Sequence, residues 1–257
     1  MLKIPRSGSS HAPSFAAMPF AHTDSDMNKL VMRMSHRPNS SSPSSSDSDS
    51  DGSLPEFAWA LSFSATFISR LAYAGFLPMS TQVFADLICL LPKLHNKRCA
   101  LPSVLRDLKV SKGLRSVKGR FTFSIDTAFD SVVAGIVNQH GRHCWFYQPL
   151  VDAYRTLNLT PSNGVKVHSS ELWDKHSNRL VAGEIGYTIG TVYTSLSGFR
   201  DKGTSSCGTL QLACTGRALQ GCGYEVWDLG MGFDYKRDLG ARDLGREEVS
   251  RAALRFA

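Results

Sequence analysis

The chain has 257 residues, 42% of them hydrophobic, enough for one large or two small domains with a proper core. A formal net charge of +7 favours phosphate-bearing partners, in nucleic acid or on an anionic surface, although a merely basic soluble protein carries the same balance. The six cysteines, at 89, 99, 144, 207, 214 and 222, form no C-x-x-C pair, which argues against a secreted disulfide scaffold and for small apolar core residues in a reducing compartment.

Lys3 and Arg6 are followed by no continuous apolar run of the secretory kind. The longest uncharged apolar-leaning run, Phe57 to Ser69, is too short to span a bilayer and meets Arg70. A cytoplasmic protein without a membrane partner is the expectation. The Ser-rich, basic start leaves organelle import open, with Asp24 and Asp26 counting against it. Residues 1–53 read as a disordered tail, because the Ser/Asp-rich run NSSSPSSSDSDSDGS has no apolar face to bury.

Residues 54–118 read as a small, helix-leaning region. Phe63, Phe67, Leu71 and Ala74 recur at helical spacing, with Gly75 as a stop. A basic stretch follows, in which Lys93, Lys97, Arg98, Arg106, Lys109, Lys112, Arg115, Lys118 and Arg120 face one acid, Asp107. Such a run is an electrostatic footprint for phosphates, or simply a solvated surface.

Residues 119–257 alternate strand and helix. FTFSI from Phe121 alternates with a period of two, and Asp126 suits an N-cap. Phe129, Val132, Val133, Ile136 and Val137 then form one apolar stripe ending near Gly141. His140-x-x-His143-Cys144 has no partner cluster at metal-ligand spacing and reads as a polar helix end. A second helix starts near Pro149 and carries Leu150, Ala153, Tyr154 and Leu157. VKVHSSELW and RLVAGEIGYTIGTVYTSL read as two strands paired around HSN. A helix over 206–220 is closed by Gly221 and Gly223, a strand spans Tyr224 to Leu229, and a last helix runs from Arg246 to Phe256.

The segment GYEVWDLGMGFDYKRDLGARDLGR, from Gly223 to Arg246, places an acid at a strand end facing a turn-rich loop, where a rigid scaffold presents chemistry. Its Asp…Leu-Gly-Ala…Arg-Glu-Glu spacing resembles the C-terminal signature of the leucyl/phenylalanyl-tRNA–protein transferases. AYAGFLPM around Gly75, CWFYQPLVDAYRTLN from Cys144, VHSSELW from Val167, and LVAGEIGYTIGTVYTSLSGF resemble further motifs of that family in order. The resemblance covers about Ser69 to the end. The wording of PKLH…RC, VAGEIG, VYTSLSGF, WDLGM and DYK resembles a eukaryotic branch.

The resemblance implies transfer of an amino acid from charged tRNA to a protein N-terminal amine, feeding N-terminal-residue-dependent degradation, by a monomer needing no metal or redox cofactor. It implies an α+β, GNAT-like acyltransferase domain, a mixed sheet flanked by helices; the β-α-α-β-β-α-β-α order is compatible with that fold without singling it out. Asp228 matches the family's acid and would orient the attacking amine, as base or as electrostatic anchor. Trp145 and Tyr154 match positions near the 3′ adenosine and aminoacyl end, where an aromatic face stacks a base for about 1–3 kcal/mol; core packing is the equal alternative. Tyr193 and Phe199 would line the side-chain pocket. Lys109, Lys112, Arg115 and Lys118 would steer tRNA. His168 and Glu171 point to opposite faces of a strand, which favours hydrogen-bonding roles over a catalytic pair.

The departures bear on specificity. Gly230 stands where the family has Gln, and Leu196 where it has Glu. Glu184 replaces an apolar pocket residue; a buried carboxylate is costly, so it pairs, with a cation for example, or contacts substrate. An acyltransferase using another activated donor fits less well, since no Gly-rich pyrophosphate loop opens a helix. A non-catalytic tRNA- or peptide-binding relative is the third reading.

Overall fold

The computed structural model describes residues 57–245, 248 and 249. The Ser/Asp-rich tail and nearly all of the last expected helix lie outside the described residues. Helix α1 (Ala65–Tyr73) forms where the apolar spacing places it. The Ser64 hydroxyl accepts from the Phe67 N–H at 3.2 Å, and Phe67, Ile68, Leu71 and Ala72 are buried. Gly75, at φ 87°, takes the chain out of the helix.

The region that follows departs from the helix-leaning expectation. It carries strands β1 (Phe76–Leu77), β2 (Ser80–Phe84), β3 (Leu87–Leu90), β4 (Lys93–Leu94) and β5 (Lys97–Leu101), then two single turns, α2 (Val104–Asp107) and α3 (Leu114–Val117). Thr81, Val83 and Ile88 suit strands, and Ala85-Asp86 turns β2 back onto β3.

One seven-stranded sheet organises the rest. Its members are β5, β6 (Phe121–Ile125), β7 (Val165–Asp174), β8 (Arg179–Ile189), β9 (Val192–Arg200), β10 (Val226–Asp228) and β11 (Arg242–Gly245). Among the described residues the order is β11-β5-β10-β9-β8-β7-β6, and only the β9–β10 pair is parallel. A parallel pair needs a crossover, supplied by helix α6 (Cys207–Gly221). Because β5 pairs with both β10 and β11, the boundary at Lys118 does not separate two sheets. The segment read as one long strand from Arg179 is two, broken at Gly190 (φ 53°).

Helices α4 (Phe129–His140) and α5 (Gln148–Leu159) pack with α1 against one face, in a cluster holding Phe67, Leu71, Val132, Ile136, Leu150, Tyr154, Val167 and Ile185. On the other face α6 packs Cys207, Leu210 and Ala213 against Leu172, Val181 and Ala182. With both faces covered, β8 is buried along nearly its whole length. The architecture is a mixed α+β sheet flanked by helices.

Asp126 is not the N-cap of α4. It adopts φ 57°, and its carboxylate accepts from the Ser169 N–H and from His168 Nδ1, both at 2.9 Å. Glu171 serves the helix start instead, accepting from the Ala128 N–H at 3.3 Å and the Ser124 and Thr127 hydroxyls at 2.7 and 3.0 Å. His168 and Glu171 thus brace different residues of one connection, Asp126 and the Ser124/Thr127/Ala128 set, in hydrogen-bonding roles.

Candidate active site

Strand β10 is short because the chain turns at Leu229-Gly230, and its three residues alternate faces. Trp227 turns toward α6, fully buried, and its Nε1–H donates to Ser195 Oγ at 2.9 Å. Asp228 turns the other way, beside Thr194 of β9 and Ala100 of β5 in register. Two residues along β5 from Ala100, Arg98 stands on the same face. Its Nε donates to the two Asp228 carboxylate oxygens at 3.0 and 2.8 Å, and Nη2 approaches Oδ2 at 2.8 Å. The Gly230 N–H adds a 2.8 Å bond to Oδ1.

Three N–H groups therefore occupy most of the roughly four acceptor positions of this carboxylate. Both partners are buried, Asp228 to 3% and Arg98 to 8% exposure. Burial works against the Arg98 charge, and the facing Asp228 carboxylate overcomes it. The pair is locked from outside as well. The Leu229 N–H donates to the Cys99 carbonyl at 2.9 Å and the Cys99 N–H to the Gly230 carbonyl at 2.7 Å. Lys236 Nζ donates to the carbonyls of Leu229 and Met231, tying helix α7 (Asp234–Asp238) to the loop after Asp228.

Asp228 and Arg98 line a cavity of about 40 Å³ with His95, Tyr187, Thr194 and Tyr73. That is room for only a few waters. Burial, aided by Arg98 and Lys93, pushes His95 down to about 3. Burial pushes Tyr187 up to about 12. At neutral pH the cavity thus holds a neutral imidazole and a neutral phenol around a compensated ion pair.

The other expected site residues are not gathered here. Glu184 and Tyr193 lie on the α6 face with Trp227. Tyr193 is one residue from Thr194 and so points away from Asp228. Among the described residues Glu184 pairs with hydroxyls and not with a cation: Tyr193 Oη donates at 3.0 Å and Ser195 Oγ at 2.9 Å. Burial pushes this carboxyl up to about 7 despite those two bonds. Tyr154 is 1% exposed and donates to the Pro78 carbonyl at 2.6 Å, so it offers no face for stacking. Its place on the α5 apolar stripe decides between its two readings. Trp145 is half-buried, stacked on Phe146 at 4.5 Å. Phe199 sits against Gly135 of α4, where a Cβ would lie 2.6 Å from its ring, and so serves packing. Leu196 also packs against that cluster.

Lys109, Lys112, Arg115 and Lys118 are exposed along the α2–α3 segment. Arg98, counted with them in the sequence, is instead the partner of Asp228. Its cue is position: alone among those cations it directly precedes an apolar run, Cys99-Ala100-Leu101. His95 and Tyr187 lie inside PKLH…RC and LVAGEIGYTIGTVYTSLSGF, segments that carry the resemblance, but nothing in their spacing marks either as a site residue. Among the described residues no group of three or more His, Cys, Asp or Glu could hold a metal ion, and no helix is long and apolar enough to cross a membrane.

An α+β domain with a buried acid closing a central strand is the class that fold and site define. Residues 104–253 match the family described as leucyl/phenylalanyl-tRNA protein transferase, and the chain belongs to that family. Relatives named leucyl/phenylalanyl-tRNA–protein transferase include those of Nitrosospira multiformis (30% identical over 56% of this chain and 61% of the relative) and Oleidesulfovibrio alaskensis (31% over 60% and 64%). That of Pectobacterium carotovorum is 30% identical over 36% of this chain and 38% of its own length. The chain thus spans between 38% and 64% of the length of these bacterial relatives. A solved structure of L-PGS from Bacillus licheniformis aligns at TM-score 0.44 and 13% identity, over 62% of this chain and 65% of that one.

Proposed function

We propose that the chain is an aminoacyl-tRNA–protein transferase, moving an amino acid from charged tRNA to the α-amine of a protein or peptide. The observation that carries this reading is the family match over 104–253, with Asp228 of the family's signature lying at a strand end and lining a small cavity. The sheet supports a GNAT-like reading. β9 and β10 form its parallel pair, and β10 stops at Asp228 while β9 runs on to Arg200.

The donor is an activated ester. The amine nitrogen attacks its carbonyl carbon, a C–N bond forms, the ester C–O bond breaks, and the 3′ adenosine oxygen leaves with a proton. Holding amine and ester together can supply roughly 7–11 kcal/mol of the barrier. Arg98 and Gly230 use most of the Asp228 oxygens, which suits an electrostatic anchor for the amine better than a free base. The neutral Tyr187 and His95 beside it can donate or accept a hydrogen bond to the reacting groups. In this reading Lys109, Lys112, Arg115 and Lys118 attract the tRNA.

Purified protein incubated with mixed labelled aminoacyl-tRNAs and a library of N-terminal peptides tests the reading. Wild type should couple at least one pair, and Asp228→Asn should lower its rate about a hundredfold or more, the range for losing a preorganised electrostatic partner. Unchanged turnover in Asp228→Asn would remove this residue from the mechanism.

A further inference from the structure

Glu184 sits at the end of a chain of hydrogen bonds that all run toward it. Trp227 Nε1–H donates to Ser195 Oγ at 2.9 Å, so the single Ser195 hydroxyl proton is free to go to Glu184 Oε1, also at 2.9 Å. Tyr193 Oη donates to the same oxygen at 3.0 Å. Both bonds fall on Oε1; among the described residues Oε2 receives none. Lys236 lies within electrostatic reach, but its Nζ donates to the Leu229 and Met231 carbonyls instead. A carboxyl only 5% exposed with one oxygen unused is costly to keep unless a further donor, best a cation, completes it.

Its place in the sheet shows where that donor can come from. Asp228 and Thr194 are the last paired residues of β10 and β9. Beyond them the strands part. The Leu229 N–H and the Gly230 carbonyl bond to Cys99 of β5, while β9 runs on to Arg200. Ser195 is the first β9 residue past the parting, and Glu184 lies beside it, opposite Gly198 in register. The parting thus joins Asp228 on one face to the Glu184 carboxyl on the other. In the transferase reading the acceptor amine is anchored at Asp228 and faces the ester carbonyl. The side chain of the amino acid being transferred is then the part of the substrate left to pass between the strands toward Glu184.

We propose that Glu184 is a specificity-determining residue that receives the cationic side chain, guanidinium or ammonium, of the amino acid being transferred. The inference rests on the transferase reading and deepens it by naming a basic amino acid as the donor class, in place of an apolar one. In the empty protein burial pushes this carboxyl up to about 7, and an N–H of the cation would stand on Oε2 where that proton sits.

Binding tests this without any transfer. Stable amides of 3′-amino-3′-deoxyadenosine carrying arginine, its uncharged isostere citrulline, lysine or leucine are titrated into the full chain, with calorimetry as the readout. The arginyl or the lysyl amide should bind wild type at least about tenfold more tightly than the leucyl amide, the margin of a charge-assisted hydrogen bond. The citrullyl amide should lose most of the arginyl advantage. Glu184→Gln should erase the preference, and Glu184→Leu should turn it toward leucine. Wild type that binds the leucyl amide as tightly as both basic ones, or binds no amide, overturns the inference whether or not the variants fold. So does a Glu184→Gln variant that keeps the preference. A Glu184-dependent preference found only for peptides with an N-terminal arginine would assign the carboxyl to the acceptor and overturn it too. In the coupling assay, wild type that transfers only apolar amino acids sinks the basic donor and leaves the proposed function standing. A Glu184-dependent preference for the basic amides with no transfer from any charged tRNA does the reverse: the proposed function falls, and Glu184 keeps its role in recognising the cation.

Discussion

Arg98 grips both carboxylate oxygens of Asp228 across 130 residues of sequence, at 2.8 and 3.0 Å from a single Nε. Both groups are buried, so each depends on the other. Removing one partner of a buried pair costs about 3–5 kcal/mol, because the survivor keeps an uncompensated charge. Arg98→Met should lose that much in urea unfolding. Asp228→Asn added to Arg98→Met should restore a good part of it, with a coupling of about 2 kcal/mol. Additive losses would mean that the pair is not a unit.

Gly230 occupies the position where the resemblance places a glutamine. Its φ is 81°, and a Cβ there would meet only Arg98 Nη2, at 3.9 Å. Space is therefore no obstacle to a side chain, but backbone conformation is. Gly230→Ala should cost about 1–2 kcal/mol in unfolding free energy. Gly230→Gln should cost at least as much and should not raise the transfer rate. The left-handed turn aims the Gly230 N–H at Asp228, so faster transfer by Gly230→Gln would show that this turn is dispensable.

What the sequence disclosed follows from the range of each signal. Helices α1, α4 and α5 rest on apolar spacing within a dozen or so residues and α6 on its closing glycines, and all four form there. β1 to β4 are two to five residues long, too short for a period of two to stand out. Trp227-Asp228 ends a strand, as its apolar lead-in indicates. Arg98 is hidden among cations because only its distant partner distinguishes it from a surface charge. Asp126 has the local pattern of an N-cap, but Glu171, 43 residues from Ala128, supplies that acceptor through the sheet. Tyr154 sits on the α5 apolar stripe and Phe199 lies against Gly135 of α4, so packing claims both.

Glu184 and His95 titrate with opposite effects on stability. The Glu184 carboxyl is raised from 4.5 to about 7 by burial, with Lys236 nearby acting to lower it. The folded state therefore holds a proton that the unfolded chain has lost between pH 4.5 and 7. Its stabilisation is complete below 4.5 and lost as pH rises through 7, by about 3 kcal/mol. His95 is lowered from 6.5 to about 3, so its contribution is present above 6.5 and lost as pH falls toward 3. The two offset each other in the wild type between pH 4.5 and 6.5. Glu184→Gln, which keeps an oxygen for the Tyr193 and Ser195 hydroxyls, should expose the His95 slope alone. The free-energy difference between Glu184→Gln and wild type should shift toward the variant by about 3 kcal/mol from pH 4.5 to 8. A difference independent of pH would mean that Glu184 does not titrate in this range.

Gly240 makes the tightest backbone approach in the loop that follows Asp228. It has φ 100°, and a Cβ would lie 2.0 Å from the Asp107 carbonyl oxygen, a backbone atom that cannot swing aside. The turn is held by the Gly240 N–H on the Arg237 carbonyl at 2.8 Å and the Ala241 N–H on the Lys236 carbonyl at 3.2 Å. Leu239 and Ala241 on either side are buried with Leu101 and Trp227. A side chain at 240 must therefore push apart the α2 segment and the wall behind Trp227, the neighbour of Asp228. The left-handed conformation costs about 1–2 kcal/mol and the overpacking about 1–3 more. Gly240→Ala should accordingly lose about 3 kcal/mol or more and slow transfer as well. Gly221, the last residue of α6, meets nothing within 4 Å, so Gly221→Ala should be neutral or slightly stabilising. Thermal and urea unfolding of the two alanine variants side by side decides the matter. If Gly240→Ala were as stable as Gly221→Ala, the Leu-Gly-Ala turn would not be fixed by its approach to Asp107, and its place in the signature would need another cause.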